Sequence, residues 1–278
     1  MGLTGAEIST FDSGQLIPSL EKINSEKKIS LLGKYFIDFN PELDILFNRE
    51  TLRPSHPNTM DFTLILSGDK QEKATYYSIG GGFIQRKGES RILVDKAIIP
   101  YPIQTAEEMI QWCEVEEKSL DEISMANELC WHTKFEIQSY LDSIWEVMEH
   151  SIYQGCHDSG ELPGGLHVQR RANVLNNKLF FDKSYNSQSE WLALLKKEPR
   201  SMDIVTNWIS CFALSVNEVN ASCGRIVTAP TNGSAGVIPA VIMYLLCFHD
   251  GISQQDIKKF LLVSSEIGIL FKKGATIS

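Results

Sequence analysis

The hydrophobic period of this sequence changes once, near Tyr101-Pro102, and that change constrains the fold more than any other feature. Before it, apolar residues alternate as they do in strands, with Met60, Phe62, Leu64 and Leu66 at every second position. Tyr35 to Phe39 reads as a short strand, Ser67-Gly68-Asp69 as a turn and Lys73 to Ile79 as the returning strand. Pro54, Pro57 and Asn58 mark a loop, and a helix is expected over Ile17 to Ile23. After Pro102 the period becomes helical and stays so. Thr105 with Glu108 and Ser119 with Glu122 have capping-box spacing. The second pair is expected to open one long amphipathic helix, with Leu129, Phe135, Tyr140, Leu141, Ile144, Trp145 and Met148 on its apolar side. The expected class is α+β: a small α/β sandwich-like domain over 1–102, then an all-α domain over 103–278.

Charge removes one class of partner. The 278 residues carry a net charge of −9, and nucleic-acid binding rests on clustered positive charge, so no nucleic acid is expected. The opening MGLTGAEIST lacks a basic and an apolar signal-peptide region. The longest apolar run, Val237 to Phe248, is broken by Pro239 and falls short of the ~18–20 residues that span a bilayer. It reads as a buried helix, with no membrane partner and a cytoplasmic location expected. Six cysteines (Cys113, Cys130, Cys156, Cys211, Cys223 and Cys247) show no CxxC spacing. Most are expected to be reduced and buried, with no metal ligand among them.

The stretch Asn217 to Pro239, NEVNASCGRIVTAPTNGSAGVIP, has the pattern of a ligand loop. A helical run through Val216 ends near Cys223-Gly224, and a β-branched segment, Ile226 to Thr228, follows. The turn Thr231-Asn232-Gly233-Ser234 then enters a new apolar helix at Val237. Such a turn directs backbone N–H groups and a helix N-terminus at one point, which suits a carboxylate. The plainer reading is an interhelical loop with an Asn or Ser cap. Asn217, Glu218 and Asn220 sit on the preceding helix end and, if buried, must be hydrogen-bonded, which makes them supporting residues.

Three further features stand out. Gly80-Gly81-Gly82, after Ser78, invites a phosphate-loop reading of the kind pyridoxal-phosphate enzymes use, but no GxGxxG or GK[ST] follows, and a domain junction fits better. Gly155 to Arg171 reads as the longest loop. It holds Cys156, His157 and His167, whose spacing matches no known zinc motif. Arg170 and Arg171 suit either a carboxylate or a salt-bridging surface pair.

The segment NEVNASCGRIVTAPTNGSAGVIPAV resembles the signature of the bacterial iron–sulfur-dependent L-serine dehydratases (L-serine ammonia-lyases). HPNTMDF with YYSIGGGF, LPGGLHVQRRA and IGILFKKGATIS resemble the same family in the same order. The resemblance implies a regulatory-type β domain and a helical catalytic α domain, both incomplete here, joined near Ser78, Gly80, Gly81 and Gly82. It implies L-serine as substrate, pyruvate and ammonia as products, and a role in amino-acid catabolism and gluconeogenesis. It also implies a [4Fe–4S] cluster whose exposed iron acts on the hydroxyl as a Lewis acid. The family's cluster cysteines lie beyond the ATIS motif, so the ligand cysteines are not in this chain. A serine- and histidine-containing N-terminal motif is absent too. The resemblance makes Thr228, Thr231, Asn232, Gly233 and Ser234 substrate-facing. It also raises Arg170, Arg171 and Lys273 as supporting or junction residues, although Gly274 departs from the usual Asn. The catalytic base is not identified. A homodimer or a complementing subunit is the expected partner. A non-catalytic amino-acid-binding or regulatory fragment is the alternative.

Overall fold

The structure is a computed structural model that describes residues 1–7, 10–48, 56–68, 70–79, 84–89, 98–228 and 231–274. Gly80, Gly81 and Gly82, with Pro54, Asp69 and the final ATIS, lie outside the described residues. The chain divides into two compact units, Met1–Thr59 and Met60–Ser278. As the sequence implies, it is α+β, with small antiparallel sheets first and helices after.

In the first unit, α1 (Leu16–Glu26) leads into a hairpin of β1 (Lys28–Leu31) and β2 (Tyr35–Asp38), paired from Lys28↔Asp38 to Leu31↔Tyr35. Strand β1 has no counterpart among the sequence expectations. Its turn places Leu32 and Gly33 at positive φ, 51° and 68°, the mirror-image turn that matches strand twist. The four-residue α2 (Pro41–Asp44) is capped by the Asn40 side chain, which accepts from the Glu42 N–H at 3.2 Å.

The second unit begins with a sheet ordered β3 (Thr59–Ile65), β4 (Gln71–Ser78), β5 (Ile84–Arg86). The alternation of Met60, Phe62 and Leu64 does mark a strand. However, β3 is not half-buried as that alternation would have it, because residues on both its faces are exposed. Ser78, at the end of β4, pairs with Ile84.

The helices are α3 (Ala106–Glu116), α4 (Leu120–Glu128), α5 (Lys134–His157), α6 (Ala172–Leu179), α7 (Gln188–Leu195), α8 (Met202–Ala221), α9 (Val237–Phe248) and α10 (Gln254–Gly274). The capping boxes of Thr105 with Glu108 and Ser119 with Glu122 both form. The single long helix expected after Ser119 does not. It is two helices, because a third capping box, Thr133 with Glu136, starts a new one at Lys134. Leu129, Phe135 and Tyr140 consequently fall outside the buried stripe, which is Leu141, Trp145, Met148 and Ile152. The expected loop from Gly155 is also shorter. Helix α5 runs through Gly155, Cys156 and His157, and the loop starts at Asp158.

Helix α8 lies at the centre, packed against α5, α6 and α9. Two glycines let its neighbours approach. A Cβ on Gly155 of α5 would stand 2.3 Å from the Ser215 carbonyl oxygen, and one on Gly236, which caps α9, would stand 2.4 Å from that of Ala213. Around α8 the core is Trp191, Trp208, Phe212, Ile152, Val216 and Met243, all essentially unexposed.

Helices α6 and α7, which the sequence pattern did not reveal, are tied to α5 by a directional hydrogen-bond chain. The Trp191 indole donates to Asn176 Oδ1 at 2.9 Å, and Asn176 Nδ2 donates to the Tyr185 hydroxyl at 2.9 Å. His157 Nδ1 sits 2.6 Å from the Tyr153 carbonyl, which can only accept, so Nδ1 carries the proton. In the neutral ring Nε2, 2.9 Å from the Tyr185 hydroxyl, is the acceptor and the tyrosine the donor. No helix among the described residues is long and apolar enough to cross a membrane.

Candidate active site

The ligand loop is anchored on three sides. Helix α8 ends at Ala221, and the chain turns sharply: Ser222, Cys223 and Gly224 all direct their N–H groups back to α8 carbonyls. Ile226 and Val227 then pack, partly buried, on the core rather than forming a strand. At the far side, Asn232–Ser234 forms one turn of 3-10 helix, and Ala235 and Gly236 are buried against α8. The cap of α9 is Gly236, not an Asn or Ser. Glycine is required there because any side chain would meet the Ala213 carbonyl.

Between these anchors the polar side chains converge. Thr228 Oγ1 donates to Asn232 Oδ1 at 3.0 Å, and Asn232 Nδ2 donates to Asn220 Oδ1 at 3.1 Å. Thr231 Oγ1 and Ser234 Oγ are 2.9 Å apart. Thr228, Thr231, Asn232 and Gly233 are exposed, whereas Asn220 and Ser234 are half-buried. The site therefore faces solvent with neutral donors and acceptors. Such a set can hold the ends of a zwitterion by hydrogen bonds. None of these side chains titrates near neutrality, so the cluster can bind and orient but cannot itself take a proton from carbon.

Of the supporting residues, Glu218 is the most firmly built in. Its carboxylate is 4% exposed and accepts from the backbone N–H of Arg171 at 2.7 Å and of Ala172 at 3.3 Å. It thus covers the positive end of α6 and ties the 158–171 loop to α8. The Glu218 carboxylate meets the backbone N–H of Arg171, whereas the carboxylate beside the Arg170 guanidinium is Asp158. Arg171 has an exposed side chain. Arg170 Nη2 donates to Ser222 Oγ at 2.6 Å, with Asp158 3.7 Å from Nη1. Glu218 and Ser222, the residue that caps α8, lie four residues apart, whereas Asn220 is about 200° round the helix from Glu218. Arg170 and the backbone of Arg171 therefore meet α8 at Ser222 and Glu218, not at Asn220. Asn217 is exposed, and Lys273 is hydrogen-bonded to the Ile103 carbonyl, pinning the end of α10.

The thiols were expected to be mostly buried, and half of them are. Cys156, Cys211 and Cys247 are in the core, but Cys130 and Cys223 are exposed and Cys113 is intermediate. Cys156 and Cys211 face each other at 3.7 Å between α5 and α8. Burial, with Cys211 adding to it, pushes the Cys156 thiol well up, so that sulfur is not presented as a thiolate ligand. His167, on the loop, is exposed and 3.0 Å from Glu161. Among the described residues no three His, Cys, Asp or Glu side chains stand together. The described residues therefore offer no set of side chains that fits an iron–sulfur cluster.

Comparison with known proteins agrees with the sequence motifs. A family model described as "Serine dehydratase alpha chain" matches residues 96–278, and one described as "Serine dehydratase beta chain" matches residues 1–89. The chain belongs to the serine dehydratase family. It is 36% identical over 282 residues to "L-serine dehydratase" of Streptomyces coelicolor, with 100% of this chain and 58% of that protein covered. "L-serine dehydratase 1" and "L-serine dehydratase 2" of Escherichia coli are 34% and 37% identical, with 59% and 58% of their lengths covered by the whole of this chain. The chain thus spans under two-thirds of the length of these serine dehydratase relatives.

Proposed function

We propose that this chain supplies the amino-acid-binding part of an L-serine ammonia-lyase, and that its substrate loop is Thr228 with Thr231–Ser234. Family membership supports the activity, and the Thr228–Asn232–Asn220 hydrogen-bond relay carries the choice of loop. In this reading residues 1–102 belong to the β domain, residues 103–278 belong to the α domain, and Ser78 with Gly80–Gly82 joins them. Glu218, Arg170, Arg171 and Lys273 support the helices around the loop, and Asn217 and Asn220 close its α8 side. The location is cytoplasmic, and the partner is a second copy or a complementing subunit.

The reaction breaks the Cα–H and Cβ–O bonds of serine and releases water. The aminoacrylate formed tautomerises to an imine, which hydrolyses to pyruvate and ammonia. The neutral loop orients the zwitterion so that these two bonds are presented; the base is not among its side chains, and the ligand cysteines of an iron–sulfur cluster would come from outside this chain.

Two measurements test the reading. After anaerobic reconstitution of the complete protein, stoichiometric iron and sulfide with serine-dependent pyruvate release is the expected result. Serine binding without cluster or pyruvate would favour a regulatory fragment instead. Asn232→Ala in that protein should lower kcat/KM by at least ~10-fold, the scale of one lost hydrogen bond to a charged group, with helical circular dichroism unchanged. Unchanged kinetics would remove Asn232 from the site.

A further inference from the structure

We propose that this loop distinguishes the two ends of an amino acid by the direction of its hydrogen bonds, with Thr228 taking the ammonium and Asn220 setting the direction. The inference rests on the reading that the loop holds an amino acid, and it goes further by assigning each end of the ligand to named groups.

A threonine hydroxyl has one proton, and Thr228 donates it to Asn232 Oδ1 at 3.0 Å. What its oxygen still offers, on an exposed residue, is lone pairs. An ammonium is donor-only and can use them. A carboxylate is acceptor-only and is turned away. The other end of the relay has the reverse polarity. Asn232 Nδ2 gives one of its two protons to Asn220 Oδ1 at 3.1 Å and keeps the second. Asn220 Nδ2 keeps both of its own. These amide protons suit a carboxylate. The arrangement has two senses: if Asn220 presented its Nδ2 to Asn232, the amide of Asn232 would turn over, its nitrogen would donate to Thr228, and the hydroxyl proton would be freed. Asn220 is half-buried on α8 and presents Oδ1, an acceptor, to the exposed loop, and that acceptor sets the sense of the relay. It is a positioning residue, whereas Thr228 is a specificity-determining one.

The test uses the full chain and calorimetric affinities for L-serine and for 3-hydroxypropanoate, which keeps the carboxylate and hydroxyl but lacks the ammonium. In Thr228→Val the affinity for serine should fall at least ~10-fold more than that for 3-hydroxypropanoate, the scale of a hydrogen bond to a charged group, and Thr228→Ser should restore it. Asn220→Asp can only accept from Asn232. It should therefore retain the preference for serine even though its charge weakens both ligands, while Asn220→Ala should lose that preference. Equal loss of both ligands in Thr228→Val, or loss of preference in Asn220→Asp, overturns the proposal and leaves the loop as the binding site. Serine binding that Asn232→Ala does not affect overturns the site itself, as does failure of the wild-type chain to bind either compound.

Discussion

At the scale of single residues, a buried carboxylate, Glu218, and a half-buried one, Glu149, differ in what surrounds them. Glu218 is compensated: three contacts from the first N–H groups of α6 meet its two oxygens. Glu218→Ala would leave those N–H groups buried without partners, and a cost of about 2 kcal/mol is expected from urea denaturation. Glu218→Gln keeps the acceptor oxygen and should cost less than half of that. Glu149, on α5, lacks such partners. Burial pushes its carboxyl up, with Lys196 opposing and Glu146 adding to the rise. The folded state then binds a proton more tightly than the unfolded chain. Its contribution is fully present below the ordinary carboxylate range and is lost as pH rises through the raised value. Stability profiles of wild type and Glu149→Gln should therefore lie close near pH ~4 and separate with rising pH, the variant being the more stable by pH ~7. A constant offset across that interval would show that desolvation of Glu149 is not the cause. The role of Glu218 was only half legible. Its position on the helix end could be read from the sequence, but its partners are 47 residues away in the chain, and nothing local to either segment announces them.

At the scale of elements, the signals that proved readable are those contained within a few residues. Capping boxes at Thr105 and Ser119 gave helix starts. The same spacing at Thr133 and Glu136 divides the helices there, although the apolar stripe runs across the break and hides it. The α6–α7 region gave no comparable sign. Its apolar residues, Phe180, Trp191 and Leu195, are spaced by two short helices and a turn rather than by one period. Glycines show a similar limit. The letter G at 233 and at 236 looks alike, yet a Cβ at Gly233 would meet nothing within 4 Å, while one at Gly236 would strike the Ala213 carbonyl at 2.4 Å. Backbone is the obstacle there, so neither helix can yield without moving. Gly236→Ala is expected to destabilise by about 1–3 kcal/mol, the range for forcing an extra methyl into a packed interior. Gly233→Ala should change stability by under ~0.5 kcal/mol in the same urea experiment. Similar costs for both would mean that α8 and α9 are not in the close contact described.

At the scale of the whole chain, the change of period at Tyr101-Pro102 was enough to give α+β, because strand and helix patterns need no knowledge of partners. Which residues are buried was harder to read, and the cysteines show why. A cysteine in an apolar stretch reads as core, yet Cys130, just past the end of α4, and Cys223, in the turn after α8, are exposed because each lies where a helix has ended. Cys156, Cys211 and Cys247 sit instead within helices that meet in one hydrophobic cluster. Burial holds the Cys247 thiol at about 12, so almost none of it is thiolate at neutral pH, and the thiolate is the reactive form. Labelling of the native protein with an aromatic disulfide reagent at pH ~8 should accordingly proceed in three phases. Cys130 and Cys223 should react first, Cys113 with a lag, and the three core thiols only through opening of the helical cluster. Since those three share one core, they should label with a single rate that rises with urea in step with global unfolding, as groups exposed only by cooperative opening do. Separate rates for Cys247 and for the Cys156–Cys211 pair would mean that α9 leaves the bundle independently, and the loop in front of it would then have no fixed wall.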